Sequence, residues 1–247
     1  MSTPAETGET GATGRVVPEA HHEHRDVTGG PLRPAVFGAM DGLVSNLALI
    51  SGVAGSNARP GAVALAGLAG LVAGAFSMAV GEYTSVASQA ELTRAEIDIE
   101  RLELSRHPEA EQAELAAMYV QRGVSPDLAN QVAAQLSADP EQSWRIHVRE
   151  ELGVDPDSLP SPWTAAIASF LSFTVGAFLP LLPYLLGAGS LWISVALSVV
   201  GLFGVGAVTT RYTNRGWLYS GMRQLILGSL AAAITYGIGH AVGTGLQ

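Results

Sequence analysis

The chain has 247 residues, 48% of them hydrophobic and only 14% charged, with a formal net charge of −9 and no cysteine. So low a charged fraction departs from the roughly one quarter typical of soluble domains, and the lack of thiols excludes disulfide frameworks, thiolate metal sites and thiol redox chemistry. Its 13 basic residues, all Arg, are outnumbered by 22 acids, which excludes a basic nucleic-acid-binding surface.

Residues 1–32 are rich in Gly, Thr, Glu and His and lack the apolar stretch of a signal peptide. They are expected to form a disordered cytoplasmic tail, in which His21, His22 and His24 offer only nonspecific metal affinity. Apolar windows of bilayer length follow at about 35–56, 61–88, 163–186, 189–210 and 217–243. Five spans are therefore expected, two within residues 33–90 and three within 161–247. Arg59 is the one basic residue outside the N-terminal region, the 91–160 segment and the 211–223 region. By the positive-inside rule the N-terminus is cytoplasmic and the C-terminus lies outside.

No turn signal follows Glu82, and Tyr83 to Arg106 contains neither Gly nor Pro, so the second span is expected to continue out of the membrane as a helix. On that extension Leu92, Ile99 and Leu102 mark an oily face, and Glu96, Glu100, Glu103 and His107 an acidic one. Pro108 opens a second helix that Gly123 ends. Ser125-Pro126 opens a third, to about Ser137, and Pro140 a fourth, to about Leu152. Gly38-x-x-x-Gly42 and Gly70-x-x-x-Gly74 predict close helix packing, in a bundle or a homodimer. Pro180 and Pro183 interrupt the third span, so neighbouring helices must satisfy its freed carbonyls. His240, near the outer end of the last span, reads as an interface residue. The fold class is an all-α membrane protein, with five transmembrane helices and a cytoplasmic helical metal-binding domain, residues 91–160, inserted between spans 2 and 3.

Three groups of residues carry chemistry. Asp41 lies one third of the way into the first span, where an ionised carboxylate costs about 3 kcal/mol, so it must face a polar path, pair with a cation or take up a proton. On the second span Met78 and Glu82 share a helical face; the thioether is a soft metal ligand at the depth of Asp41, and Glu82 an entry carboxylate. In the inserted segment Glu100-x-x-Glu103 and Glu111-x-x-Glu114 place paired carboxylates on two helices that the break at Pro108 folds together. A divalent cation would relieve their repulsion, and oxygen ligands suit Fe²⁺, Mn²⁺, Ca²⁺ or Mg²⁺. His147 and Glu151, four residues apart, could close the site, and the imidazole favours first-row transition metals. The alternative is a solvated acidic surface, with Arg94, Arg101, Arg106 and Arg149 pairing with some of the acids. A di-iron oxidase is disfavoured, because paired Glu-x-x-His motifs are required and Glu19 to His22 in the tail is the only one.

With "AMDGLVSNLALISGVAG", "AFSMAVGEYTSVASQAELTRAEI" and "SFTVGAFLPLLPYLL" in order, residues 33 to 243 resemble the vacuolar iron transporter family. That resemblance implies a five-span homodimer that moves Fe²⁺, often Mn²⁺, out of the cytoplasm in exchange for protons, along a path between subunits. It implies path residues at Asp41, Met78 and Glu82, and domain carboxylates at Glu100, Glu103, Glu111, Glu114 and Glu151. His147 departs from the pattern, standing where some members carry a Met ligand. The expectation is a proton-coupled exporter rather than an enzyme, without a resident cofactor, and with metal ions, protons, lipid and a second copy of the chain as partners. A membrane-anchored metal buffer or sensor is the alternative. The abundance of Ala, Gly and Arg and the absence of Lys suggest a bacterial plasma membrane.

Overall fold

The computed structural model describes residues 30–210 and 215–245, so the expectations for the N-terminal tail and its histidines lie outside the described residues. These residues form helices α1 (Leu32–Gly55), α2 (Pro60–Arg106), α3 (Pro108–Gln121), α4 (Pro126–Leu136), α5 (Pro140–His147), α6 (Pro162–Leu185), α7 (Leu191–Thr209) and α8 (Trp217–Gly245), with no strand among them. Each of α2 to α6 begins at a proline, whose fixed φ suits the first turn and whose missing N–H leaves no intrahelical bond unmade. The Asp139 carboxylate caps α5 by accepting from Glu141 N–H at 2.9 Å, and Gly123 and Gly153 supply the left-handed φ values of 97° and 65° needed just beyond helix ends.

Five helices, α1, α2, α6, α7 and α8, are long and apolar enough to cross a membrane. α2, at 47 residues, is about 70 Å long at 1.5 Å per residue, more than twice the hydrocarbon thickness. Tyr83 and Trp163 stack edge to face at 4.9 Å where its apolar part ends, an arrangement typical of a membrane border.

α1 packs most extensively against α6. The two backbones nearly touch: a Cβ at Gly38 would lie 2.7 Å from the Ser169 carbonyl oxygen, and one at Gly176 would lie 3.0 Å from both Ala39 C and Leu43 N. The first small-residue motif thus serves packing inside the chain. So does the second, whose Gly74 lies under the Phe173 ring of α6. Ile50, Val63, Leu71, Ala75, Phe173 and Leu181 fill the core between α1, α2 and α6.

Beyond the bundle, α2 continues into a small helical unit with α3, α4 and α5. Leu115, Ala116, Ala129 and Ala133 join α3 to α4, and Ile97, Trp144 and Val148 join α2 to the α5 region. The oily face expected on the extension is not the buried one. Leu92, Ile99 and Leu102 are each about half exposed, whereas Ala90, Ile97 and Glu100 are buried, because α5 docks on the Ile97 side. The fourth expected helix also differs at its end: Val148–Leu152 widens into a π-turn closed by Gly153.

Candidate functional site

Two arrangements gather the residues singled out by their chemistry. The first lies in the helical unit. Ile97 and Glu100 are one turn apart on α2, so the face that anchors in the Trp144 core also takes the carboxylate out of water. Glu111 precedes the fully buried Leu115 by one turn on α3, and His147, the last residue of α5, adjoins the fully buried Val148. The π-turn then carries Glu151 back beside the ring. His147 Nδ1 stands 3.2 Å from Glu100 Oε1, 3.1 Å from Glu151 Oε1 and 3.8 Å from Glu111 Oε2.

One ligand atom from each of Glu100, Glu111, His147 and Glu151 lies within 4.8 Å of the others. Three of these side chains are buried, and Glu151 forms the open edge. His147 Nε2 is buried without a hydrogen-bond partner, a costly state for a polar atom. Burial, and then the charges of Glu151 and Glu111, push the Glu100 carboxyl up to about 8. Burial and the Glu114 charge also raise Glu111, partly opposed by His147. Three carboxylate oxygens and one imidazole nitrogen form a donor set suited to a divalent first-row metal ion.

Glu103 and Glu114 stay outside the group of four and are exposed, although their charges act on Glu111. Two arginines considered as partners for the acids are engaged elsewhere: Arg101 lies over Trp144 at 3.8 Å, and Arg149 pairs with Asp155 at 2.8 Å. Arg122 pairs with Glu150, and Arg145 with Asp157. Among the described residues the nitrogen group within 4 Å of Glu100, Glu111 and Glu151 is the His147 ring.

The second arrangement is a cavity of about 450 Å³ between α1 and α2, with Phe173 of α6 in its wall. Asp41, Met78 and Glu82 all line it. On α1 it follows the i, i+4 series Phe37, Asp41, Ser45 and Leu49. Ser45, Asn46 and Ser77 also line it and were not singled out from the sequence. The signal for Ser45 was its place one turn beyond Asp41; Asn46 is an amide in an otherwise apolar run; Ser77 carried none. Ser45 Oγ donates to the Asp41 backbone carbonyl at 2.6 Å, which leaves the carboxylate itself uncommitted by that bond.

Bundle, cavity and carboxylate cluster together define a polytopic helical membrane protein with polar chemistry between its first two membrane helices. Sequence comparison narrows that class: the VIT family profile matches residues 32–240, and the chain belongs to the VIT family. It is 40% identical over 220 residues to a vacuolar iron transporter of Acanthamoeba castellanii, covering 86% of this chain and 78% of the relative. Vacuolar iron transporter 1 of Oryza sativa subsp. japonica is 32% identical, with 91% of this chain and 90% of the relative covered. Vacuolar iron transporter 1 of Arabidopsis thaliana is also 32% identical, with 90% of each covered.

Proposed function

We propose that the chain is a proton-coupled carrier that exports Fe²⁺, Mn²⁺ or both from the cytoplasm and works as a homodimer. The single observation that carries this reading is the shared cavity: a carboxylate within the first span, a thioether on the second and a further carboxylate one turn beyond it all line one space between two spans. An ionised Asp41 costs about 3 kcal/mol in hydrocarbon, and a passing cation or a proton offsets that cost. Names of relatives over most of the chain support iron as cargo.

In this reading Glu100, Glu111, His147 and Glu151 capture the ion at the cytoplasmic end, with Glu103 and Glu114 adding negative potential around it. Glu82 admits the ion to the level of Asp41 and Met78. A carboxylate cannot hold a proton and a metal strongly at once, so protonation of Asp41 from the far side releases the cargo. His147 replaces a soft thioether with an imidazole, a donor that retains preference for first-row metals over Ca²⁺ and Mg²⁺. The Arg distribution supports a cytoplasmic N-terminus. Location in a plasma membrane rests on composition alone, since the relatives above are named for the vacuole.

The four-residue cluster also favours a second reading, because it is a full ligand set without the membrane part: a membrane-anchored metal buffer or sensor. Asp41→Ala separates the two. In proteoliposomes with an imposed pH gradient the carrier loses Mn²⁺ and Fe²⁺ flux at least about 100-fold, the loss of a route worth roughly 2.7 kcal/mol. Wild-type behaviour of the variant, whether flux or its absence, would overturn the carrier reading.

A further inference from the structure

The cavity contains one buried polar group that the proposed route leaves unused. Asn46 is only 2% exposed, lies five residues beyond Asp41 on α1 and lines the cavity. Its Nδ2 donates to the Ala177 backbone carbonyl of α6 at 2.6 Å. Two oxygens cannot face each other across such a contact, so the bond fixes which way the amide points. Its Oδ1 is thereby turned away from α6, and it is buried without a partner.

Across from that oxygen stands Gly70 of α2, also in the cavity wall, where a Cβ would lie 3.1 Å from Asn46 Oδ1. The Leu49 side chain lies against the same Gly70 position, so glycine is what lets α2 come close to a buried oxygen that nothing else hydrogen-bonds. A clamp between α1 and α6 requires only the amide donor. It does not account for an acceptor held toward a cavity with no hydrogen-bond partner, a state that costs on the order of 1–3 kcal/mol.

We infer that Asn46 Oδ1 is a ligand for the transported divalent cation, the next station after Asp41 and Met78. The inference rests on the carrier reading. Five residues place the amide about 7.5 Å further along the helix axis than Asp41, so it serves a separate position rather than the same one. Amide oxygens coordinate divalent cations as backbone carbonyls do. Being uncharged and not protonated near neutral pH, Asn46 draws the ion away from the carboxylate without competing for the proton that Asp41 takes up.

The test compares initial Mn²⁺ and Cd²⁺ fluxes in proteoliposomes under one imposed pH gradient, for the wild type, Asp41→Ala, Asn46→Met and Gly70→Ala. A thioether in place of an amide oxygen favours the softer ion, so Asn46→Met is expected to raise the Cd²⁺ to Mn²⁺ flux ratio at least about tenfold. The ratio does not depend on how much of the variant folds. Gly70→Ala leaves the Ala177 bond intact and sets a methyl group against both Oδ1 and the Leu49 side chain, and it is expected to lower Mn²⁺ flux at least about tenfold, a change of roughly 1.4 kcal/mol that persists when Leu49→Ala relieves the crowding. If Asp41→Ala abolishes flux while Asn46→Met keeps the wild-type ratio and Gly70→Ala keeps wild-type flux, Asn46 is only a clamp and the inference falls. If Asp41→Ala itself transports normally, the carrier reading falls first.

Discussion

Because burial and neighbouring charges hold the Glu100 carboxyl near 8, a cation entering the cluster at neutral pH must displace a proton. The folded value lies above the ordinary 4.5, so the folded state binds this proton more tightly than the unfolded chain does. Metal-free stability from this group is therefore fully present below about pH 4.5 and falls as pH rises to about 8. Melting the protein in chelator at pH 5.5 and pH 8 should give a lower Tm at the higher pH, and Glu100→Gln should flatten the difference. Mn²⁺ affinity should move oppositely, strengthening by up to about tenfold per pH unit until near pH 8, with proton release visible by calorimetry in two buffers. The grouping was partly legible in the sequence, because the break at Pro108 brings the Glu100 and Glu111 pairs together and His147 and Glu151 stand four residues apart. Exposure of Glu103 and Glu114 was not, since spacing alone does not say which member of an E-x-x-E pair turns inward. Core neighbours decide that: Ile97 stands one turn before Glu100, and Leu115 one turn after Glu111.

At the scale of the elements, proline and glycine made the helix boundaries readable: Pro60, Pro108, Pro126, Pro140 and Pro162 each open a helix. The face of α2 that α5 covers was harder, because an apolar stripe at helical spacing marks a surface to be covered without naming what covers it. Leu92, Ile99 and Leu102 remain such a stripe, about half exposed. The π-turn at Val148–Leu152 was invisible, having no strong local signature before Gly153. The contact between α1 and α6 is the element-level feature most exposed to mutation. Gly176→Ala would drive a methyl group into the Ala39 carbonyl oxygen and to 3.0 Å from Leu43 N, and overpacking that forces backbone apart costs at least about 1–3 kcal/mol. Gly237 of α8 has nothing within 4 Å of its would-be Cβ, so Gly237→Ala is the neutral control. Thermal unfolding in detergent should separate the two, with the first variant melting several degrees lower and the second no lower than the wild type, since alanine favours a helix interior over glycine.

Taken as a whole, the molecule joins a metal-binding candidate outside the apolar bundle to a cavity within it. Under the exchange mechanism each pH unit across the membrane contributes about 1.4 kcal/mol per proton, so a two-for-one exchange sustains roughly a 100-fold metal gradient per unit. Acidifying the face opposite the α3–α5 unit should therefore speed Mn²⁺ efflux, and collapsing the gradient with a protonophore should return it to the basal rate. Uncoupled flux, indifferent to which side is acid, would argue for a channel. The unbroken α2 adds a mechanical consequence. Glu82 and Glu100 ride on one continuous rod, about 27 Å apart at helical rise, so a 10° tilt of its membrane half would swing the far carboxylate by about 5 Å. That is comparable with the 4.8 Å span of the four ligand atoms, so a rocking bundle would transmit through this shaft a displacement as large as the cluster itself.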